Sequence, residues 1–139
     1  MQNQPETMQD NPEYQDVLAE VLEFLSERRQ QCLNLGMLAD QILLDPGFGF
    51  GKTLAHNLSL FNGLSKMAEE SHPILVGLSR KSMIGQILDA DVNDRLIGSV
   101  TMALLAAQAI YGAGGSAILR VHDVKETKQA LNIWQATKK

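Results

Sequence analysis

Ile42-Leu43-Leu44-Asp45-Pro46-Gly47-Phe48-Gly49-Phe50-Gly51-Lys52-Thr53 is the stretch that decides how this chain is read. A short apolar run ends in a carboxylate and is stopped by proline. Three glycines then alternate with two phenylalanines before a lysine and threonine lead into a helical pattern. A strand feeding a glycine-rich turn that opens a helix is where α/β proteins place ligand chemistry. Glycine lets backbone approach a ligand closely. Two rings in such a loop have little core to fill, so at least one is expected to be a platform for a flat substrate.

The same strand-then-helix grammar repeats on either side. Residues 1–12 read as a loop, with Asn11-Pro12-Glu13 as a helix start. Tyr14, Val17, Leu18, Val21, Leu22 and Leu25 have helical spacing, giving a helix to about Leu35 that stops at Gly36. Ile42–Asp45 reads as a strand buried on both faces. Leu54, Leu58, Phe61, Leu64 and Ala68 predict one helix, broken before Ile74–Leu78, the second strand. A short helix follows over Met83–Leu88, then an acidic turn, then a long Ala-rich helix from Asp94 to Tyr111. Ala117–Val121 is the third strand, and Asp123 with Glu126 has capping-box-like spacing ahead of a last helix. Three rounds of strand and helix imply parallel, right-handed crossovers and an α/β sheet. Three strands leave long apolar edges, so the expected architecture is part of a barrel or of a larger sheet.

Composition narrows the function. The 139 residues make one modest domain, 45% apolar and 20% charged, with 16 acidic and 12 basic side chains and a net charge of −4. That argues against a nucleic-acid binder. The single cysteine, Cys32, suits a reducing cytoplasm and reads as a buried small apolar residue. No apolar run is long enough for a membrane span, so neither membrane nor nucleic acid is an expected partner. A cytoplasmic location is expected.

The carboxyl ends of parallel strands share one edge, so Asp45, Ser79/Lys81 and Arg120/His122 should converge there. Asp45 is either a turn aspartate or a carboxylate that reads a heterocycle by accepting two parallel N–H bonds. Lys52 either reaches a phosphate or, the favoured reading, is a solvated helix-start lysine. The loop approaches the P-loop pattern, but Pro46 occupies the first glycine position and removes an amide, so nucleotide hydrolysis is only a minor alternative. Lys81 in Ser79-Arg80-Lys81-Ser82 is the cation expected to be functional; Arg80 is the weaker candidate, since neighbouring side chains rarely both face one pocket. In a strand, Arg120 and His122 point one way and Val121 the other. They suit a phosphate or pyrophosphate, the alternative being a salt-bridged arginine and a satisfied histidine. His56 and His72 read as bystanders, and no Cys/His cluster supports zinc.

These motifs together resemble the dihydropteroate synthase family. The likeness runs through Leu44 to Lys52, Leu75 to Gly85, Arg95-Leu96-Ile97-Gly98-Ser99 and Arg120 to Val124, with Thr7-Met8-Gln9, Pro12 and Tyr14 upstream. It covers essentially the whole chain but only the carboxyl-terminal half of the family. It implies part of a TIM (β/α)8 barrel carrying the sixth to eighth strands. It also implies a transferase of folate synthesis, a sulfonamide target, which joins 6-hydroxymethyl-7,8-dihydropterin diphosphate to p-aminobenzoate and releases pyrophosphate. By resemblance Asp45, Lys81 and Met1 would meet the pterin, and Phe50 and Ser79 the p-aminobenzoate. Arg120 and His122 would hold the pyrophosphate, with Lys81, Arg120 and His122 catalytic. The family's Mg²⁺-associated asparagine belongs to the amino-terminal half and has no counterpart here. The open edges imply a homo-oligomer or a complementary half-barrel as partner, or a non-catalytic truncated or split product.

Overall fold

The computed structural model describes residues 12–69 and 72–138. Met1, the loop expected over residues 1–12 apart from Pro12, and the Asn11 cap lie outside the described residues. The first helix, α1, runs Val17–Asn34 and so begins later than the periodicity suggests. The reason is its cap: Asp16 Oδ1 accepts from the amides of Leu18 and Ala19 at 3.0 and 3.1 Å. Glu20 reaches back to the amides of Gln15 and Asp16. Gly36 closes α1 at φ 91°, as expected. Cys32 is half-buried on α1 rather than enclosed.

The expected second helix is two: α2, Leu54–Asn62, and α3, Leu64–Ala68, meeting at Gly63. Leu18 of α1 packs so closely on Gly63 that a Cβ there would overlap its methyl groups. The helices of the sheet crossover follow as expected, the short α4, Ser82–Leu88, and the long α5, Leu96–Gly112. A 3₁₀ turn over Val92–Asp94 separates them, so α5 starts two residues late. The last helix, α6, is Val124–Ala136. Its expected capping box is absent: Asp123 makes no side-chain cap, and its carboxylate goes elsewhere.

The strands are parallel but short. β1 is Ile74–Val76 and β2 is Ala117–Leu119, in register Ile74↔Ala117. The strand expected at Ile42–Asp45 reduces to a parallel bridge of Leu44 with Ile74. It is held by Leu44 N–H to Pro73 O (2.9 Å) and Leu75 N–H to Leu44 O (2.8 Å). Ile74, Val76 and Leu78 turn into the helix side and are essentially enclosed with Leu60, Leu64, Met67, Ala106 and Ile110. The other face is open: Leu43 and Ile118 are each 45% exposed. Pleating alternates side chains across the sheet, so this open face also carries the strand-end polar groups. Burial on both faces, expected of Ile42–Asp45, holds for one face only, with Ile42 buried and Leu43 bare.

Candidate functional site: the carboxyl edge of the sheet

The glycine loop folds around its own polar groups. Gly47, Gly49 and Gly51 all adopt φ between 56° and 76°, where a side chain would strain the chain. Asp45 Oδ1 accepts from Gly47 N–H at 2.8 Å, closing the turn after the bridge. Gly49 N–H donates to Asn57 Oδ1 at 2.7 Å, and Phe50 N–H to Gly47 O at 3.3 Å. Three loop amides are therefore spent internally, while loop carbonyls face ammonium groups. Lys52 Nζ donates to Gly47 O (3.0 Å) and Phe50 O (3.1 Å), and Lys81 Nζ to Phe48 O. An anion cradle needs free N–H groups, so this loop is the electrostatic inverse of a P-loop.

Lys52 is thus not the solvated lysine expected at a helix start. It is 7% exposed, beneath the loop, with its Nζ 6.0 Å from the Tyr14 ring centre. Burial lowers its proton affinity, and nearby Asp45 partly restores it. Asn57, 3% exposed, holds the loop from the other side. Its Nδ2 donates to Thr53 O (2.7 Å) and Lys52 O (3.3 Å). Nothing in the chain's periodicity distinguishes Asn57 from an exposed helix polar. His56 is not idle either: it exchanges cap bonds with Thr53 and meets the Tyr14 ring edge-on. His72, partly buried, precedes β1 and does not line the cleft.

The two phenylalanines divide their tasks. Phe48, 1% exposed, is core after all, while Phe50 is 39% exposed with Lys81 Nζ 4.5 Å above its ring centre. Phe50, Asp45, Pro46 and Lys52 line a cleft of about 360 Å³ against Phe24 and Leu25 of α1. Beside it, Ser79, Lys81, Arg120 and His122 line a second cleft of about 400 Å³, over Gly77. Burial lowers the Lys81 proton affinity first; Asp45 opposes this, and Arg120 and Lys52 add to it. The Arg120 guanidinium lies flat on Gly77, where a Cβ would sit 3.0 Å from its Nη2. Val121 lines the same cleft, so the strict alternation expected of a strand has ended by then. Ser79 Oγ accepts from His122 N–H at 3.2 Å and bonds His122 Nδ1 at 2.9 Å. Its hydroxyl therefore holds the imidazole.

Arg80, the weaker of the two candidates, does not line this cleft and forms a two-pronged pair with Asp123. The pair raises the arginine's proton affinity and lowers that of the carboxylate. Among the described residues no group of three or more His, Cys, Asp or Glu could hold a metal ion. No described helix is long and apolar enough to cross a membrane.

A parallel α/β layer with a lysine, an arginine and a histidine gathered in one cleft beyond its strand ends defines an α/β protein with a polar strand-edge cleft. Residues 1–122 match the family model described as pterin binding enzyme. The chain belongs to that family. It is 48% identical over 137 residues to the dihydropteroate synthase of Haemophilus influenzae, covering 99% of this chain and 48% of that one. It is 47% identical to the Escherichia coli K12 enzyme of the same name, with 99% and 47% covered. It superposes on the Yersinia pestis dihydropteroate synthase solved as a sulfonamide drug complex, with TM-score 0.89 and 45% identity over 99% of this chain and 48% of that one. The Stenotrophomonas maltophilia dihydropteroate synthase, with imidazole bound in its active site, gives TM-score 0.90 and 42% identity, covering 99% and 51%. The chain spans about half the length of these relatives.

Proposed function

We propose that this chain contributes the carboxyl-terminal part of a dihydropteroate synthase barrel and of its active site. The observation that carries the reading is the meeting of Lys81, Arg120 and His122 in one cleft, on a chain so similar to those enzymes. In this reading the p-aminobenzoate amine attacks the methylene carbon of the pterin diphosphate. The carbon–oxygen bond breaks with its electron pair leaving on pyrophosphate, and the amine gives up a proton. Arg120 and His122 hold the leaving group, with the Arg120 guanidinium opposing the charge that grows on it, and Lys81 adds a second cation. Asp45 has Oδ1 committed to its turn, yet its exposed carboxylate still offers an acceptor to the pterin's N–H groups. Lys81 meets the ring's oxygen and nitrogen, and the half-exposed Phe50 ring borders the p-aminobenzoate. Ser79 serves that site by holding His122, since its hydroxyl is already engaged. The Mg²⁺ implied by the family has no ligand cluster among the described residues.

The open sheet face, with Leu43 and Ile118 bare, supports pairing with a complementary half-barrel or a second copy. The lone, half-buried Cys32 supports a cytoplasmic setting. The test is pyrophosphate release from the pterin diphosphate in the presence of p-aminobenzoate. It is run on this chain alone and with an amino-terminal half of a relative, with light scattering on both. Turnover that appears only in the mixture establishes the half-barrel reading. Turnover by the chain alone removes the need for a partner, and none in either case refutes the assignment.

A further inference from the structure

We infer that Arg80 is the positioning residue of the cleft, pinning the strand end that bears Lys81 to the one that bears His122 through its ion pair with Asp123. The inference rests on the pyrophosphate reading above and deepens it. The β1–β2 ladder pairs residues 43 apart, as Ile74 with Ala117, and ends at Val76 and Leu119. One backbone bond continues it, Arg120 N–H to Val76 O at 3.0 Å. Beyond that point side chains keep the same offset. Arg120 covers Gly77, Ser79 bonds His122, and Arg80 bonds Asp123. Side-chain rungs have replaced the sheet where the ligand must sit.

Arg80 is the last rung and is over-determined. Its φ of 58° is one of two left-handed values at described non-glycine residues, an unfavourable backbone that persists only when its surroundings hold it. Four hydrogen bonds do so. Its amide donates to Ser99 Oγ (2.9 Å), and its carbonyl accepts from Arg95 Nη1 (3.1 Å). Its Nε and Nη2 donate to Asp123 Oδ2 (3.2 Å) and Oδ1 (2.6 Å). Ser99 and Arg95 are themselves tied, Ser99 Oγ donating to Arg95 O at 2.6 Å. Arg95 packs on Gly85, where a Cβ would not fit. The start of α5 therefore braces the turn from behind, and Asp123 braces it from the side. Lys81 follows Arg80 directly, and His122 precedes Asp123 directly, so a shift of the pair displaces both side chains. Its own charge is answered by Asp123, which leaves Arg80 geometric work.

The test compares the chain with Arg80→Gly, which keeps the left-handed turn without strain, Arg80→Lys, which keeps the charge without the fork, and Asp123→Asn. Inorganic pyrophosphate affinity is measured by calorimetry, the His122 imidazole by ¹⁵N-histidine spectra without ligand, and stability by thermal melting. All three variants should alter the His122 ring signals and weaken pyrophosphate by about 10- to 100-fold. Arg80→Gly should melt close to the parent, because relieved strain offsets the lost pair. His122 signals and pyrophosphate affinity unchanged in Arg80→Gly overturn the inference, as does affinity lost only in step with melting. A parent chain that binds no pyrophosphate refutes the anion reading, while the His122 signals still decide the positioning role. If Arg80→Gly does not fold, Asp123→Asn and Arg80→Lys decide it on the same readouts.

Discussion

Asn57→Ala should cost the fold about 2–4 kcal/mol and release the glycine loop. Asn57 lies 3% exposed on α2 and makes three side-chain hydrogen bonds, one to Gly49 N–H and two to the carbonyls of Lys52 and Thr53. A hydrogen bond is worth about 1 kcal/mol net, and a buried group stripped of its partner costs about 1–3 kcal/mol. Three bonds at the net value give about 3 kcal/mol. The 3.3 Å bond to Lys52 O is the weakest, and Gly49 N–H loses this acceptor outright, so the two corrections run in opposite directions. At roughly 3 °C per kcal/mol for a chain of this size, melting should fall by roughly 6–12 °C. Denaturant titration gives the free energy, and amide exchange at Gly47, Gly49 and Gly51 reports the loop. A cost below about 1 kcal/mol, with those amides as protected as in the parent, would refute the claim that Asn57 organises the loop.

Three further outcomes are expected. Burial lowers the Lys52 proton affinity in the fold, so between that lowered value and 10.5 the unfolded chain binds more protons than the folded one. The cost of keeping Lys52 charged is full below that window and fades as pH rises through it. Denaturation at pH 7.5 and upward to about 10.5 should therefore shift the stability difference toward the parent and away from Lys52→Met; a flat difference contradicts the burial. Gly63→Ala should destabilise by about 1–3 kcal/mol, by driving Leu18 off α3's start, with equilibrium denaturation as the readout. Arg120→Ala should raise the barrier for pyrophosphate release by about 2–4 kcal/mol, a loss of roughly 30- to 1000-fold in kcat for the complemented barrel.

Part of the site is legible in the sequence. Lys81, Arg120, His122 and Ser79 do meet, because strand direction and register alone carry them to one edge. Arg80 facing away follows from the same logic of neighbouring side chains. Other residues failed for a common reason. Lys52, Asn57, Phe48 and Asp123 have partners that local periodicity cannot reveal. Asp123 looked like a cap because Glu126 stands three residues on, yet a guanidinium 43 positions earlier outcompetes the helix end. Lys52 looked solvated because most helix-start lysines are. Here the left-handed glycines turn two carbonyls inward, and the Lys52 ammonium donates to both. The Ile42–Asp45 strand shrank to one bridge because pairing depends on a neighbour, not on apolar character.

Sequence by itself determined the order of elements, the parallel α/β class, the family and the edge at which the chemistry collects. Those depend on apolar spacing, glycine and proline punctuation, and chain direction, all of which are local. Only the tertiary structure decided what Ile42–Thr53 does. Its amides turn inward onto Asp45 and Asn57 and its carbonyls onto Lys52 and Lys81. Whether a glycine loop offers N–H or C=O to its surroundings depends on backbone dihedrals set by distant packing. That packing makes this loop a seat for lysines and leaves Arg120 and His122 in the cleft at the ends of β1 and β2.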